Sequence, residues 1–330
     1  MSGRSSWSSR TSLDASRLGR VHAYPTALAR IRSFALAPGQ YVRLALVQLG
    51  ALWLIVGTGA AVRLTDSGLG CRHWPGCERG HPLPAKDSHA YIEFGNRVVG
   101  GVTIAVTLAS WLAAQRTPAL PRWTVRLALA VFLGTLAQAP LGLLAVASDL
   151  RWPVVMAHLL LSFLLLGGAV VVALEARAAQ VGVLEPLVPS ELRRLGVVFT
   201  VSCLALVVSG TFATAAGPHS GGGEHIDRFA TLRPTVYVHA AVVGIFLTAF
   251  LFSLGYLAAR RAHASRLFVL AGGVLAVLLL QMGLGEIQWR TQLPWALVLA
   301  HVVVAAAVWV GTVALATLFF RPNVDFIDRR

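Results

Sequence analysis

Eight charge-free apolar runs, at 44–62, 98–115, 127–148, 152–174, 195–216, 234–259, 267–285 and 291–320, take up most of this 330-residue chain. A helix needs roughly 20 mostly apolar residues to cross a bilayer, and each run is long enough. Only helices and closed barrels span hydrocarbon, because every backbone N–H and C=O must be satisfied inside the protein. Runs this long and this uniformly apolar lack the alternation of barrel strands. The expected fold is therefore all-α and integral to a membrane, with no room for a large soluble domain. Charged residues make up only 13% of the sequence, against about 25% in soluble domains.

The net charge of +14 would suit nucleic acid, but its placement does not. With the N-terminus inside, 19 Lys and Arg fall on the inner segments and 9 on the outer ones. That asymmetry sets topology. Both termini are then cytoplasmic, and no nucleic-acid partner is expected. Residues 1–40 are rich in Ser, Arg and Ala and lack a long apolar core. They read as a disordered cytoplasmic tail, not a cleaved signal peptide.

The chain also matches itself. Gln138, Leu141-Gly142, Trp152 and His158 recur as Gln281, Leu284-Gly285, Trp295 and His301, all at an offset of 143. The same offset sets Asn96 opposite His239. Gly57-Thr58 and Ser67-Gly68 recur as Gly210-Thr211 and Ser220-Gly221 at an offset of 153, so the first outer loop is the longer of the two. The expected layout is a four-helix half at 41–175, a cytoplasmic linker at 176–194, a second four-helix half at 195–320 and a short cytoplasmic tail at 321–330. Even-numbered halves repeat in one orientation, giving two bundles related by a pseudo-twofold axis along the membrane normal.

Reactive residues gather at one depth near the outer side. His158 lies about six residues below the expected start of the fourth helix, His239 about five below that of the sixth and His301 about eight into the eighth, which places them roughly 7–12 Å below the outer boundary. Asn96 lies at a similar or slightly shallower level. A lone intramembrane histidine is often a packing residue, but two at matching depth on equivalent helices suit a metal. Facing imidazoles in a four-helix bundle hold heme, and no further ligand at that level suits zinc. No Asp, Glu or Lys lies in the middle of a run. That counts against an ion-coupled transporter, which usually relays through buried carboxylates. Glu93, Asn96 and Arg97 share one helix face at the mouth of the second run. Glu93 with Arg97 reads either as an interfacial salt bridge or as chemistry, with Glu93 in proton transfer and Arg97 gripping a propionate. Cys71 and Cys77 fall in the first outer loop, where disulfides persist. They read as a staple or as a redox-active pair, and spacing leaves both open. Cys203 reads as a small core residue.

With these residues in view, the chain resembles the heme A synthase family from about residue 41 to 320. The resemblance is carried by VRLTDSGLGCRHWPGC (62–77), IEFGNR (92–97), MAHLLL (156–161), ATAAGPHSG (213–221), YVHAAV (237–242) and LAHVVV (299–304). It implies a membrane oxidoreductase that oxidises the methyl at porphyrin carbon 8 of heme O to a formyl group. The oxidation passes through hydroxylated intermediates, and the product serves terminal oxidase assembly. It implies heme b as cofactor with His239 and His301 as axial ligands, and Glu93 as the catalytic carboxylate. It implies a substrate pocket at His158, Asn96 and Arg97, and a Cys71–Cys77 disulfide. The chain departs from the family at Asn96, where better-known members carry histidine; His89, seven residues earlier, is a candidate stand-in. The implied partners are heme O, the heme O synthase that supplies it, membrane lipid and a second copy of the chain, with the electron acceptor open. The implied place is the cell membrane, with the cysteine loop outside. The alternative is a non-catalytic heme b protein, an electron carrier or heme-delivery factor for an oxidase.

Overall fold

The computed structural model describes residues 35–326 apart from 72, 75, 79–82, 85, 86, 220 and 223–225. The tail expected at 1–40 lies almost wholly outside the described residues. Among the described residues eight α-helices follow one another: α1 Pro38–Leu64, α2 Ser88–Gln115, α3 Arg122–Ala147, α4 Trp152–Val181, α5 Ser190–Ala216, α6 Leu232–Ala259, α7 Ser265–Arg290 and α8 Trp295–Phe320. Each is long and apolar enough to cross a membrane. Among the described residues the chain forms no named strand, and an isolated bridge joins Val183 and Asn323.

The charged residues that bound the apolar runs do not end the helices. α4 continues through Glu175 and Arg177 to Val181, and α7 continues through Glu286 to Arg290. Charge limits what hydrocarbon tolerates, whereas a helix ends where its caps and turns dictate. Asp87 caps α2 by accepting from the backbone N–H groups of His89 and Ala90. Proline opens α1 and α4 in their first turns, where its missing N–H is not needed.

The eighth run needs a correction. Its first four residues are a turn, and α8 begins at Trp295 rather than at 291. Gln292 and Leu293 take φ of 64° and 61°, and Leu293 N–H reaches back to Gln288 O at 2.7 Å. None of these residues is charged, so a charge-free window passes over them. The same turn stands 143 residues earlier, where Asp149 and Leu150 take φ of 51° and 57° and Leu150 N–H reaches Ala145 O at 2.8 Å. The repeat thus extends to left-handed backbone, which disfavours side chains other than glycine.

Helices α1 to α4 pack in a closed ring, and α5 to α8 form a second ring of the same order. The rings meet through α4 against α8, flanked by α1 against α8 and α4 against α5. That pattern is what a twofold relation between halves requires. At the seam Trp309 donates its indole N–H to Phe163 O at 2.7 Å. Its ring fills a notch at Gly167, where a Cβ would stand 3.0 Å from the indole nitrogen. At the cysteine-loop end the repeat-equivalent glycines meet, with Gly68 N–H donating to Gly221 O at 2.8 Å. Arg63 spans the same seam, donating to Thr214 O at 2.9 Å and His219 O at 3.0 Å.

The packed core lies toward the end opposite the cysteine loop, around Phe199, Phe246, Phe250, Phe319 and Trp309. Phe199 meets Phe250 and Phe319 edge-on at 6.0 and 5.9 Å. Toward the loop end the interiors change character. No residue of α6 before Phe246, of α7 after Leu278 or of α8 before Ala306 is buried. Nor is any residue of α2 between Glu93 and Thr103, of α3 between Thr135 and Ala145, or of α4 before Phe163. At this level the side chains that line each bundle on these six helices are not buried, while α1 and α5 still bury Val56, Ser209 and Thr211.

Candidate functional site

The four residues singled out by depth all fall in those two lined levels. From the observed helix starts, His158 and His301 each lie six residues after a tryptophan, Trp152 and Trp295. His239 lies seven after Leu232, and Asn96 eight after Ser88. The corrected start of α8 therefore sharpens the match between the halves.

In the second half, His239 Nδ1 pairs with Ser209 Oγ at 2.9 Å. The one hydroxyl proton of Ser209 goes to Leu206 O, also at 2.9 Å. The serine oxygen therefore accepts from Nδ1–H, which leaves Nε2 with its lone pair. That is how a ligating imidazole is held in tautomer and orientation. His301 is close enough to His239 for their charges to interact. Its Nδ1 is buried and meets no partner at full hydrogen-bond geometry among the described residues, and the Gln281 backbone lies close enough to interact with the ring. Glycine stands beside each ring: a Cβ on Gly210 would lie 3.1 Å from Cε1 of His239, and one on Gly285 would lie 3.2 Å from Cε1 of His301. Among the described residues no group of three or more His, Cys, Asp or Glu could share a metal ion. Two imidazoles fit a metal that brings its own in-plane ligands, as heme does.

In the first half, His158 is held by its backbone. Gln138 Nε2 donates to His158 O at 3.1 Å and to Ser162 Oγ at 2.7 Å, tying α3 to α4. Its Nδ1, like that of His301, meets no partner at full hydrogen-bond geometry among the described residues. Gly142 stands beside the ring as Gly285 does beside His301, 3.6 Å from Cε1 to an added Cβ. Asn96 Oδ1 accepts from Thr58 Oγ1 at 2.8 Å, joining α2 to α1.

Glu93 lies one turn from Asn96 toward the loop and is only 4% exposed. Its Oε2 accepts from the backbone N–H of Cys71 at 2.7 Å, and its Oε1 pairs with Arg97 Nη2. Arg97 Nη1 donates to His73 O and Gly76 O, both at 2.6 Å. Cys71 and Cys77 are joined, and both are buried. The disulfide loop lies directly on the start of α2, where a Cβ on Gly70 would come within 2.7 Å of the His89 backbone. The loop, Arg97 and the carboxylate thus form one hydrogen-bonded unit. Arg97 makes the salt bridge to Glu93. His89 is not brought to Asn96; its Nδ1 pairs with Ser67 Oγ at 3.0 Å, beside the loop.

Sequence reasoning did not find Ser209, Thr58 or Gly210 as supports for the site. Thr58 and Gly210 are repeat positions, and that is the one signal they carry. Ser209 gave none, because a serine one position from a repeated Gly-Thr pair has no pattern of its own.

By fold and site this is a multi-pass helical membrane protein, built of two like halves, with a paired-histidine level in one half and a carboxylate-bearing level in the other. The chain belongs to the family described as COX15-CtaA, cytochrome oxidase assembly protein, whose model matches residues 42–313. It is 28% identical over 294 residues to a heme A synthase of Shewanella oneidensis, covering 75% of this chain and 87% of that protein. Heme A synthases of Geobacillus thermodenitrificans and Geobacillus kaustophilus are each 32% identical over 111 residues, covering 32% of this chain and 33% of theirs. These relatives imply an oxidoreductase role that involves heme.

Proposed function

We propose that the chain oxidises the carbon-8 methyl of heme O to a formyl group, by way of hydroxylated intermediates, and so makes heme A for a terminal oxidase. The observation that carries this reading is the placement of Glu93. A buried carboxylate is held by a backbone N–H and a guanidinium, one helical turn above Asn96, at the mouth of the level that contains His158. Held there, Glu93 takes up a proton as the methyl group is oxidised, or steadies positive charge that develops on the macrocycle. The Cys71 N–H and Arg97 fix where its oxygens lie, so little reorganisation is needed when charge appears. Among the described residues the carboxylate pairs with Arg97, and that arginine is anchored on the loop, so removing the loop contacts moves both.

His239 and His301 are the residues suited to hold heme b, which supplies one-electron redox chemistry when bound. Ser209 keeps Nε2 of His239 free for iron, and Gly210 and Gly285 leave room beside the rings. His158, supported by Gln138 and Gly142, serves the substrate. An apolar groove of about 540 Å3 runs between α1 and α8 past Gly57, Thr58, Leu299 and Val303. It suits the isoprenoid tail of heme O and opens beside the Thr58–Asn96 contact. The protein lies in the cell membrane with the cysteine loop on the outer side, as the Lys and Arg asymmetry supports.

The test is the heme content of protein purified from cells that also make heme O, with hemes extracted, separated and identified by mass. Heme b together with heme A or a hydroxylated intermediate is the expected result. Heme b with heme O bound but unconverted would favour the carrier reading, and protein without a Soret band would remove both.

A further inference from the structure

The halves differ in chemistry at the repeat position of Asn96. His158 and His301 are equivalent, each with glycine beside the ring and a buried Nδ1 that meets no partner at full hydrogen-bond geometry among the described residues. Their counterparts across the bundle are also equivalent, but one is His239 and the other Asn96. The neighbouring helix contacts both, from positions two residues apart in the repeat: Ser209 of α5 on His239, and Thr58 of α1, which matches Thr211, on Asn96. A hydroxyl from the neighbouring helix is therefore present in both halves, while the imidazole is present in only one of the two.

The Thr58 contact orients the amide. Oδ1 accepts from Thr58, so Nδ2 and its two N–H donors lie on the other side of the group. Nδ2 makes no hydrogen bond among the described residues, nor does it belong to the buried atoms left without a partner. An amide nitrogen has no basic lone pair, and an amide oxygen prefers harder cations than heme iron. Asn96 is therefore equipped to donate a hydrogen bond and not to ligate.

We propose that His158 is the only protein ligand to the iron of the substrate heme, and that Asn96 donates from Nδ2 to a small exogenous ligand on the other axial position. The inference rests on the reading that the first half receives heme O. It makes the two halves functionally unequal. The second half would offer a bound heme two imidazoles, whereas the first would offer its heme one imidazole and a fixed donor. Thr58 acts as a positioning residue, holding the amide with its donors inward.

The experiment uses the purified full chain from cells supplying heme O, with the extracted hemes identified by mass before any titration. Ferric protein is then titrated with azide and followed by optical absorption and electron paramagnetic resonance. The expected wild-type result is a high-spin signal in proportion to the heme O-type content, shifting on azide, beside a low-spin heme b signal that does not respond. Asn96→His should convert the azide-sensitive population to low spin and abolish the response. Asn96→Leu should keep the response but weaken azide binding roughly fivefold to tenfold, the scale of one lost hydrogen bond. Wild-type protein carrying heme O-type heme that is wholly low-spin and azide-insensitive would overturn the inference. So would unchanged azide affinity in Asn96→Leu, which would remove the donor role. If Asn96→His does not fold, the wild-type and Asn96→Leu titrations decide. If wild-type protein holds heme b but no heme O-type heme, the functional reading itself has failed, and the inference falls with it.

Discussion

At the scale of single residues, a carboxylate and a glutamine show opposite ways of burying polarity. Glu93 has both oxygens engaged, one by the Cys71 N–H and one by Arg97. Replacing it by Gln keeps its shape and removes its charge and basicity. Conversion of heme O should fall by about a hundredfold or more, the usual share of a general acid–base group. The low-spin heme b absorption should stay, because His239 and His301 lie in the other half. Full production of heme A by Glu93→Gln would end the catalytic assignment. Gln48, on α1, is 1% exposed, and neither side-chain polar atom has a partner among the described residues. A buried amide left unpaired costs about 1–3 kcal/mol, and an apolar group of similar shape avoids that cost. Gln48→Leu should therefore raise the thermal midpoint in detergent. A clear fall would show that the amide is satisfied by something bound beside it. Glu93 was legible in the sequence because it shares a helix face with Asn96 and Arg97. Gln48 was not, since one polar residue inside an apolar run gives no hint of which way it points.

Among the elements, the loop between α1 and α2 determines where Glu93 lies, while α6 and α8 determine what the second half can bind. The Cys71–Cys77 loop offers Glu93 a backbone N–H and offers Arg97 two carbonyls. With Cys71→Ser and Cys77→Ser together, this short loop gains freedom and the carboxylate loses its fixed neighbours. We expect heme O conversion to drop at least tenfold while heme b content is unchanged. Equal loss of both would mean that the loop supports folding and not the site. His301→Ala should eliminate the low-spin heme b spectrum, and His158→Ala should leave it. Gly285→Val tests the space beside His301, because even a Cβ there would lie 3.2 Å from the ring. Its heme b content should fall well below wild type, and an unaltered spectrum would show that the ring moves aside. The helices were legible as apolar runs, but their ends were not. Charge marks where hydrocarbon stops, whereas α8 starts at a turn of uncharged residues that only the backbone reveals.

For the molecule as a whole, the duplication was legible through few identities, because matched residues at fixed offsets mark equivalent places in the two halves. How the halves join was not legible, since the contacts that join them have no sequence period. They are tied at the loop end by Arg63 and the paired glycines, at the middle by Trp309, and at the far end by the stretch after α8. There Arg321 reaches Glu175 of α4 at 2.7 Å, and the backbone near Asn323 pairs with Val183 beyond the end of α4. Glu175 is 2% exposed while Arg321 is 40% exposed, so the carboxylate bears most of the desolvation. Removing one partner of a fully buried pair costs about 3–5 kcal/mol. An arginine this exposed is partly screened by solvent, which brings the expected cost of Arg321→Met to roughly 1–3 kcal/mol. Adding Glu175→Gln should recover most of that loss, because no buried charge is then left alone. Both residues lie at the end of the bundles away from Glu93 and the histidines, so heme b content and heme O conversion should be unchanged in variants that remain folded. Thermal unfolding of the two single variants and the double variant, followed by heme absorption, gives the coupling between the residues directly. A coupling near zero would mean that the far end is held by backbone pairing and the packed phenylalanines alone.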